Sequence, residues 1–394
     1  MKTKILALMG AMTLTLSAVT TAAPPPARMD VILPQLEASI TQAMRASGAP
    51  GMAIAVVQGN QIVYMKGFGL REAGKTAPVT TDTVFRVASV SKTFASTLAG
   101  ILVDKQQLSW TDRLVDNVPN FALKSTANTQ SLTLKNILSH TGGLPAHAYD
   151  NLIESNVPYE TVLYRLREVN TSCPVGQCYG YQNVLYSAVS DVINTRTGKS
   201  FEEQLQDRLL TPLGMTNTSA SLEGIMNNPN VAKPHVKHKN KWVSTAIKPA
   251  YYRVAPAGGI NASIKDMANY LRAHMGHRPD VISPAVINAI TTPVINTPTE
   301  IKKYHNVSWR RDRVTQAQYG LGWRIYTYAG REMLFHRGGL QGYRAEIAYL
   351  PDEQIGIVTL WNSGAQVSDT LVPTFFDLYL GLPKKNWVQA AGNK

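Results

Sequence analysis

Ser89 and Lys92, in the run Ser89-Val90-Ser91-Lys92, are the residues whose types and spacing point most directly to chemistry. The preceding Phe85-Arg86-Val87-Ala88 reads as a strand or turn breaking into a helix that opens on the serine. Residues i and i+3 share a helical face, so local backbone geometry holds the amine beside the hydroxyl. A serine hydroxyl is a weak nucleophile at neutral pH and needs a nearby base. Lysine becomes that base when burial or a second cation disfavours its charged form. The helix N-terminus adds N–H groups able to stabilise an oxyanion beside the serine. The chemistry would be attack on a carbonyl carbon through an acyl-serine intermediate. The motif alone is short enough to recur by chance, and a surface helix is the competing reading.

Other motifs change that balance. Tyr181-Gln182-Asn183 follows at some distance, and His336-Arg337-Gly338-Gly339 lies near the C-terminus. Around and between them stand Leu138-Ser139-His140-Thr141-Gly142-Gly143-Leu144-Pro145, Pro212-Leu213-Gly214-Met215, Ala257-Gly258-Gly259 and Tyr319-Gly320-Leu321-Gly322-Trp323. In this order and at these separations the set resembles the β-lactamase-related serine hydrolases, over roughly residues 30–382. That superfamily includes class C β-lactamases, D-alanyl-D-alanine carboxypeptidases, D-aminopeptidases and β-lactamase-like esterases. S-x-x-K is itself a mark of β-lactamases and penicillin-binding proteins. The resemblance implies an α+β fold with the active site in a cleft between its two parts, and no cofactor.

It also implies roles for the motif residues. Ser89 would be the nucleophile, with Lys92 and Tyr181 sharing the proton traffic. A phenol beside an ammonium ionises more easily, so a Tyr181 tyrosinate is expected to accept the Ser89 proton. Asn183 would hydrogen-bond the amide of the acyl group. His336-Arg337-Gly338 looks like an H-x-G variant of the K-T-G strand motif of β-lactamases. Gly338 and Gly339 suit a strand that approaches substrate closely, and the N–H groups of Gly339 and Ser89 would form the oxyanion hole. His336 would hydrogen-bond Tyr181 or the leaving group, with a charge that depends on pH. Arg337 would either offer a cation to a substrate carboxylate or point away from the cleft, and Arg344 is a second candidate for that cation. His140 belongs to a turn to which the resemblance gives a structural role.

Composition sets the remaining bounds. With 394 residues, 44% of them hydrophobic and 16% charged, the chain can bury a large core. Lys2, Lys4, the apolar stretch from Ile5 to Leu16 and the small residues through Ala23 form a signal-peptide pattern. We therefore expect a signal peptide over 1–23, a Pro-rich spacer over 24–29 and one domain over 30–394. Its sheet part would cover about 30–84 and 315–382, and its helical part about 85–314. A periplasmic or secreted location follows, without a transmembrane segment after signal cleavage. In that compartment Cys173 and Cys178 are expected to pair. The net charge of +13 suits anionic cell-envelope polymers, whereas export without a nucleic-acid motif argues against nucleic acid. Two basic stretches, Lys233 to Lys241 and Ile301 to Arg313, read as solvated loops. Histidines 235, 238, 274, 277 and 305 lack metal-ligand spacing, so no metal is expected.

The elements that must position these residues are partly legible. Leu33, Leu36, Ile40 and Met44 have helical spacing over Asp30 to Ser47, ended by Gly48. Gly51 to Val57 and Gln61 to Tyr64 flank Gly59-Asn60 as a hairpin. Met333 to Phe335, Ala345 to Leu350 and Ile355 to Leu360 read as strands, and Ser368 to Leu380 as a helix. Helices are expected over Thr93 to Lys105, Tyr181 to Thr195 and Phe201 to Leu210. The assembly predicted is an antiparallel sheet built from both chain ends, flanked by helices, with a mainly α-helical insertion. A G-x-S-x-G nucleophile elbow is absent, which disfavours an α/β-hydrolase. The function expected is a serine hydrolase acting on a small molecule or cell-wall peptide, of D-Ala-D-Ala type or β-lactam related. An ester hydrolase and a non-hydrolytic penicillin-binding sensor are the alternatives.

Overall fold

A computed structural model describes residues 28–302 and 309–392. The expected signal peptide therefore lies outside the described residues, as does most of the expected spacer. Helix α1, Met29–Ser47, starts one residue earlier than its apolar spacing suggested, and Gly48 closes it in the left-handed conformation. β1 (Gly51–Gln58) and β2 (Gln61–Gly69) form the first hairpin. Then come β3 (Val84–Arg86) and, after a 3-10 turn at Ala88–Val90, helix α2 (Ser91–Asp104). β4 (His235–His238) and β5 (Lys241–Ser244) form a hairpin where a solvated loop was expected. β6 is Asn261–Ser263, and the sheet resumes with β7 (Ile295–Asn296), β8 (Val314–Tyr319) and β9 (Arg324–Tyr328). β10 (Arg331–Leu340), β11 (Tyr343–Leu350) and β12 (Ile355–Trp361) complete it. A 3-10 turn at Gln366–Thr370 and helix Leu371–Tyr379 follow.

Eight of these strands make one antiparallel sheet in the order β2-β1-β12-β11-β10-β9-β8-β7. Both chain ends build it, because β1 pairs along its length with β12, Met52 opposite Trp361. The alternation of β1 shows how it divides the molecule. Ala53, Ala55 and Val57 enter the larger core, shared with α2 and the helical part, whereas Met52, Ile54 and Val56 enter a second core beneath α1 and the C-terminal helix. A strand covered on both faces needs apolar residues throughout, which is what β1 carries. α2 is likewise buried along nearly its whole length, from Ser91 to Leu102. It is the central strut of the helical part, and Ser89 sits at its head. No described helix is long and apolar enough to cross a membrane.

Candidate active site

The turn that carries Ser89 is held from three sides. Val87 N–H donates to Ile260 O, Ile260 N–H donates to Ser91 Oγ at 3.0 Å, and the Ser91 hydroxyl donates to Ala88 O. Ala88 sits at φ +51°, a left-handed conformation costly for a residue with a Cβ. Such strain persists where the surroundings impose it, and here the β3–β6 pairing and β10 do so. Ser89 belongs to the 3-10 turn and not to α2 itself, yet its three-residue offset from Lys92 still places both at the same end of the helix.

Lys92 is fully buried, and burial pushes its amine well below the usual lysine range. The Asp150 carboxylate acts in the opposite direction, and the Arg324 guanidinium adds to the lowering. Its Nζ donates to Asn183 Oδ1 at 2.6 Å and to Ala257 O at 2.9 Å. A neutral amine has two N–H groups and one lone pair, so these two acceptors use both donors and leave the lone pair available. Ala257 explains the Ala257-Gly258-Gly259 motif as an anchor for the lysine. Asn183 differs from its expected role: its amide is engaged at both ends, since Nδ2 donates to Asp150 Oδ2 at 2.7 Å. Asn183 thus links the Lys92 amine to the Asp150 carboxylate.

Tyr181 lies on an extended segment ahead of helix Val184–Ser187, not on a helix as its spacing suggested. Three contacts hold that segment against the loop 139–147. Gly180 N–H donates to His140 O, Gln182 N–H donates to His140 Nδ1, and His147 N–H donates to Tyr181 O. The Cys173–Cys178 disulfide, with a Cα–Cα distance of 6.2 Å, closes the loop just before it. The Tyr181 ring faces the Lys92 amine at 4.6 Å from its centroid. Burial pushes the phenol up to about 12, against the opposing pulls of Arg324 and of a hydrogen bond from Ser89. Desolvation thus disfavours both the tyrosinate and the ammonium, the direction expected for a buried lysine that serves as the base.

On β10, His336 and Gly338 face the helical part while Arg337 and Gly339 face the other way. A Cβ on Gly338 would lie 2.1 Å from Val87 O and 3.0 Å from Ser89 N. Only glycine permits the strand to rest against the nucleophile turn. Pairing of β10 with β9 ends at Phe335 opposite Arg324, so residues 336–340 run on as an open edge beside Ser89. Gly339 is exposed on this edge, consistent with an oxyanion hole shared between its N–H and that of Ser89.

His336 departs from expectation. It is fully buried and has no hydrogen bond to Tyr181. Its Nδ1 lies 3.1 Å from Arg337 O, and its Nε2 lies 3.2 Å from Arg324 Nη1 and 3.3 Å from the Tyr319 hydroxyl. Burial, then the Arg324 guanidinium, push the imidazole well below its usual range, which favours its neutral form. Arg337 forms an ion pair with Asp369 on the far face. Arg344 is held by main-chain carbonyls, its Nη1 donating to Leu340 O and Tyr343 O. Arg337, Gly339, Arg344, Tyr181 and Tyr251 all line one cleft of about 1170 Å³.

Residues 36–375 match the family model described as Beta-lactamase. The chain belongs to the beta-lactamase family. Its relatives within and around that family include the unguisins hydrolase ungD′ of Aspergillus campestris, 31% identical over 80% of this chain and 58% of the relative. A second unguisins hydrolase, ungD of Aspergillus violaceofuscus, is 27% identical over 90% of the chain and 66% of the relative. The chain thus spans between just over half and about two thirds of the length of these two hydrolases. Penicillin-binding protein 4 of Amycolatopsis lactamdurans is 25% identical over 81% of this chain and 82% of the relative. Among solved structures, the octameric penicillin-binding protein homologue from Pyrococcus abyssi superposes with a TM-score of 0.78. It shares 25% identity and covers 89% of this chain and 78% of that one. The α+β fold and the family of serine hydrolases and penicillin-binding proteins are shown by these matches.

Sequence reasoning missed Asp150, Arg324 and Glu300. Arg324 immediately follows the Tyr319-to-Trp323 motif, and a charged residue opening a strand straight after a glycine-rich turn was the available signal. In the fold Gly322 packs against α2, where a Cβ would meet Lys92 O at 2.7 Å. That contact places Arg324 over the site.

Proposed function

We propose that this protein is an exported hydrolase that cleaves amide or ester carbonyls through an acyl group on Ser89. The observation that carries the reading is Lys92, buried with its Nζ on two acceptors, Asn183 Oδ1 and Ala257 O, so that its neutral form keeps a lone pair for a proton. In the proposed sequence Ser89 attacks the carbonyl carbon as its proton passes to Tyr181. The Tyr181 proton passes on to the Lys92 amine, leaving net charge in the relay only at Lys92 and at the oxyanion. The N–H groups of Ser89 and Gly339 receive the oxyanion. Collapse of the tetrahedral adduct breaks the carbonyl–leaving-group bond, and the relay run backwards protonates the departing amine or alcohol. Water then repeats the attack on the acyl-serine.

The substrate we favour is a D-Ala-D-Ala-type peptide or a related β-lactam. Cations dominate the cleft lining, with Arg86, Lys237, Lys248, Arg310, Arg324, Arg337 and Arg344 against Glu154 and Glu300. Arg344 is the stronger candidate for a substrate carboxylate, because Arg337 already has Asp369. The engagement of Arg337 also supports the second reading, a hydrolase of uncharged esters. The experiment is peptide mapping after a labelled fluorophosphonate or penicillin, followed by assays with p-nitrophenyl acetate, nitrocefin and a D-Ala-D-Ala peptide. We expect the adduct on Ser89 and no turnover by Ser89→Ala. Full activity in that variant would sink the acyl-serine reading.

A further inference from the structure

Among the cations of the cleft that the relay above does not use, Arg324 stands against both His336 and Tyr181. Arg324 opens β9 with its side chain largely buried, only 12% exposed, and its Nε pairs with Glu300 at 3.3 Å. Its Nη1 lies 3.2 Å from His336 Nε2, and its guanidinium stands 5.3 Å from the Tyr181 ring centroid and 5.8 Å from that of Tyr319. Arginine only donates and keeps its charge. The imidazole nitrogen facing it must therefore be unprotonated, with the ring proton on Nδ1 donating to Arg337 O.

We propose that Arg324 is a positioning residue: a fixed buried cation that locks His336 as a neutral acceptor and keeps the base of the Ser89–Tyr181–Lys92 relay free of its proton. The inference rests on the acyl-serine reading and deepens it by naming what sets the pH range of that relay. In a site whose K-T-G lysine position holds a histidine, the permanent charge has moved from β10 to β9. His336 then becomes a spacer for that charge, not a proton donor.

The groups around Arg324 decide the sign of the effect. From β8 comes Tyr319, from β9 Tyr326, and from β10 His336. The extended segment supplies Tyr179 and Tyr181, and the short helix Thr299–Lys302 supplies Glu300. Lys92 of α2, His140 and Asp150 complete the surroundings. Arg324 lowers both Lys92 and Tyr181, and Glu300 raises Tyr181. Whichever of the two takes the Ser89 proton, losing the guanidinium makes the free base form at higher pH. Losing the Glu300 carboxylate acts the other way.

The test is the pH dependence of fluorophosphonate labelling at Ser89 in the mature chain, for wild type, Arg324→Gln, Arg324→Lys and Glu300→Gln. In Arg324→Gln the acid limb should move up by roughly one pH unit, the low end of what a neighbouring charge does. Arg324→Lys should keep the limb near its wild-type position, and Glu300→Gln should move it down. A uniformly slower Arg324→Gln with an unmoved limb would show mere packing and overturn the inference. Should that variant fail to fold by circular dichroism, a limb displaced upward in Arg324→Lys, or unmoved in Glu300→Gln, overturns it equally. Wild type left unlabelled at Ser89 would bring down the acyl-serine reading itself. A labelled Ser89 with unmoved limbs brings down only the role of Arg324.

Discussion

Replacing Gly338 by alanine tests whether the β10 contact with the nucleophile turn governs the rate. The new Cβ would stand 2.1 Å from Val87 O, short of the 3.0 Å that real Cβ atoms keep, so strand and turn must part by about 0.9 Å. Neither side yields cheaply. Val87 to Ser89 are tied to Ile260 and Ser91, and Gly338 is paired with Ala345 of β11. The separation falls directly between the two N–H groups proposed for the oxyanion hole. Losing one such donor costs roughly 10²–10³ in kcat, about 2.7–4 kcal/mol. We expect Gly338→Ala to lose that much in kcat/KM for p-nitrophenyl acetate, with about 1–3 kcal/mol of stability lost to overpacking. Gly339→Ala is the matched control, since its Cβ meets only the Arg344 side chain, at 3.4 Å or more. It should stay within a few-fold of wild type. Equal losses in the two variants, or a fully active and folded Gly338→Ala, would refute the reasoning.

Two further outcomes follow from the structure. Cys173→Ser with Cys178→Ser opens a loop of sequence separation 5 and should cost about 2 kcal/mol in denaturant unfolding. It should lower activity as well, because this loop leads into Tyr181; unchanged stability and rate would count against the disulfide as a brace. His274, buried beside Thr97 and Tyr270, has its imidazole pushed down to about 3 by desolvation. The unfolded chain takes up a proton below about 6.5 that the folded chain refuses, so this contribution is complete above that pH and is lost as pH falls toward 3. The loss is about 1.4 kcal/mol per pH unit, and urea midpoints at pH 7 and 5 should show a shallower dependence in His274→Gln. Identical slopes in variant and wild type would contradict it.

What could be read from the sequence follows from how locally each feature is encoded. α1, the β1–β2 hairpin, β10, β11 and β12 carry apolar patterns of the right period within one element, and all are present. β8 and β9 were missed because half of their buried residues are tyrosines, set beside Gln, Thr and Arg, which reads as mixed polarity. The stretch around Arg310 read as a solvated loop, yet Arg310 is buried and Arg313 pairs with Asp377. Long cationic side chains hide their stems, so charge alone does not report exposure. The motif residues Ser89, Lys92, Tyr181, Gly338 and Gly339 were found and do converge. That burial or a second cation would lower Lys92 could be anticipated, but the groups that act on the relay, Arg324, Asp150 and Glu300, are brought near only by the fold. The Asn183 partners Lys92 and Asp150 lie 91 and 33 residues away, so their contacts with it could not be read from the sequence.

The pairing of β1 with β12 has a consequence for how the molecule is made. An early strand of the chain finds its neighbour only when residues near 360 are available, and until then both edges of β1 cannot be satisfied. Contacts of such sequence separation make folding slow, because loop closure must be completed before they reward the chain. A ribosome-bound nascent chain can hold a hairpin and helices but not the sheet, nor the alignment of β10 with the Ser89 turn. The Ser89 site therefore comes into being late, together with the sheet. A chain cut short between β11 and β12 would leave β1 and β11 as bare apolar edges, poised to pair with one another's copies and aggregate.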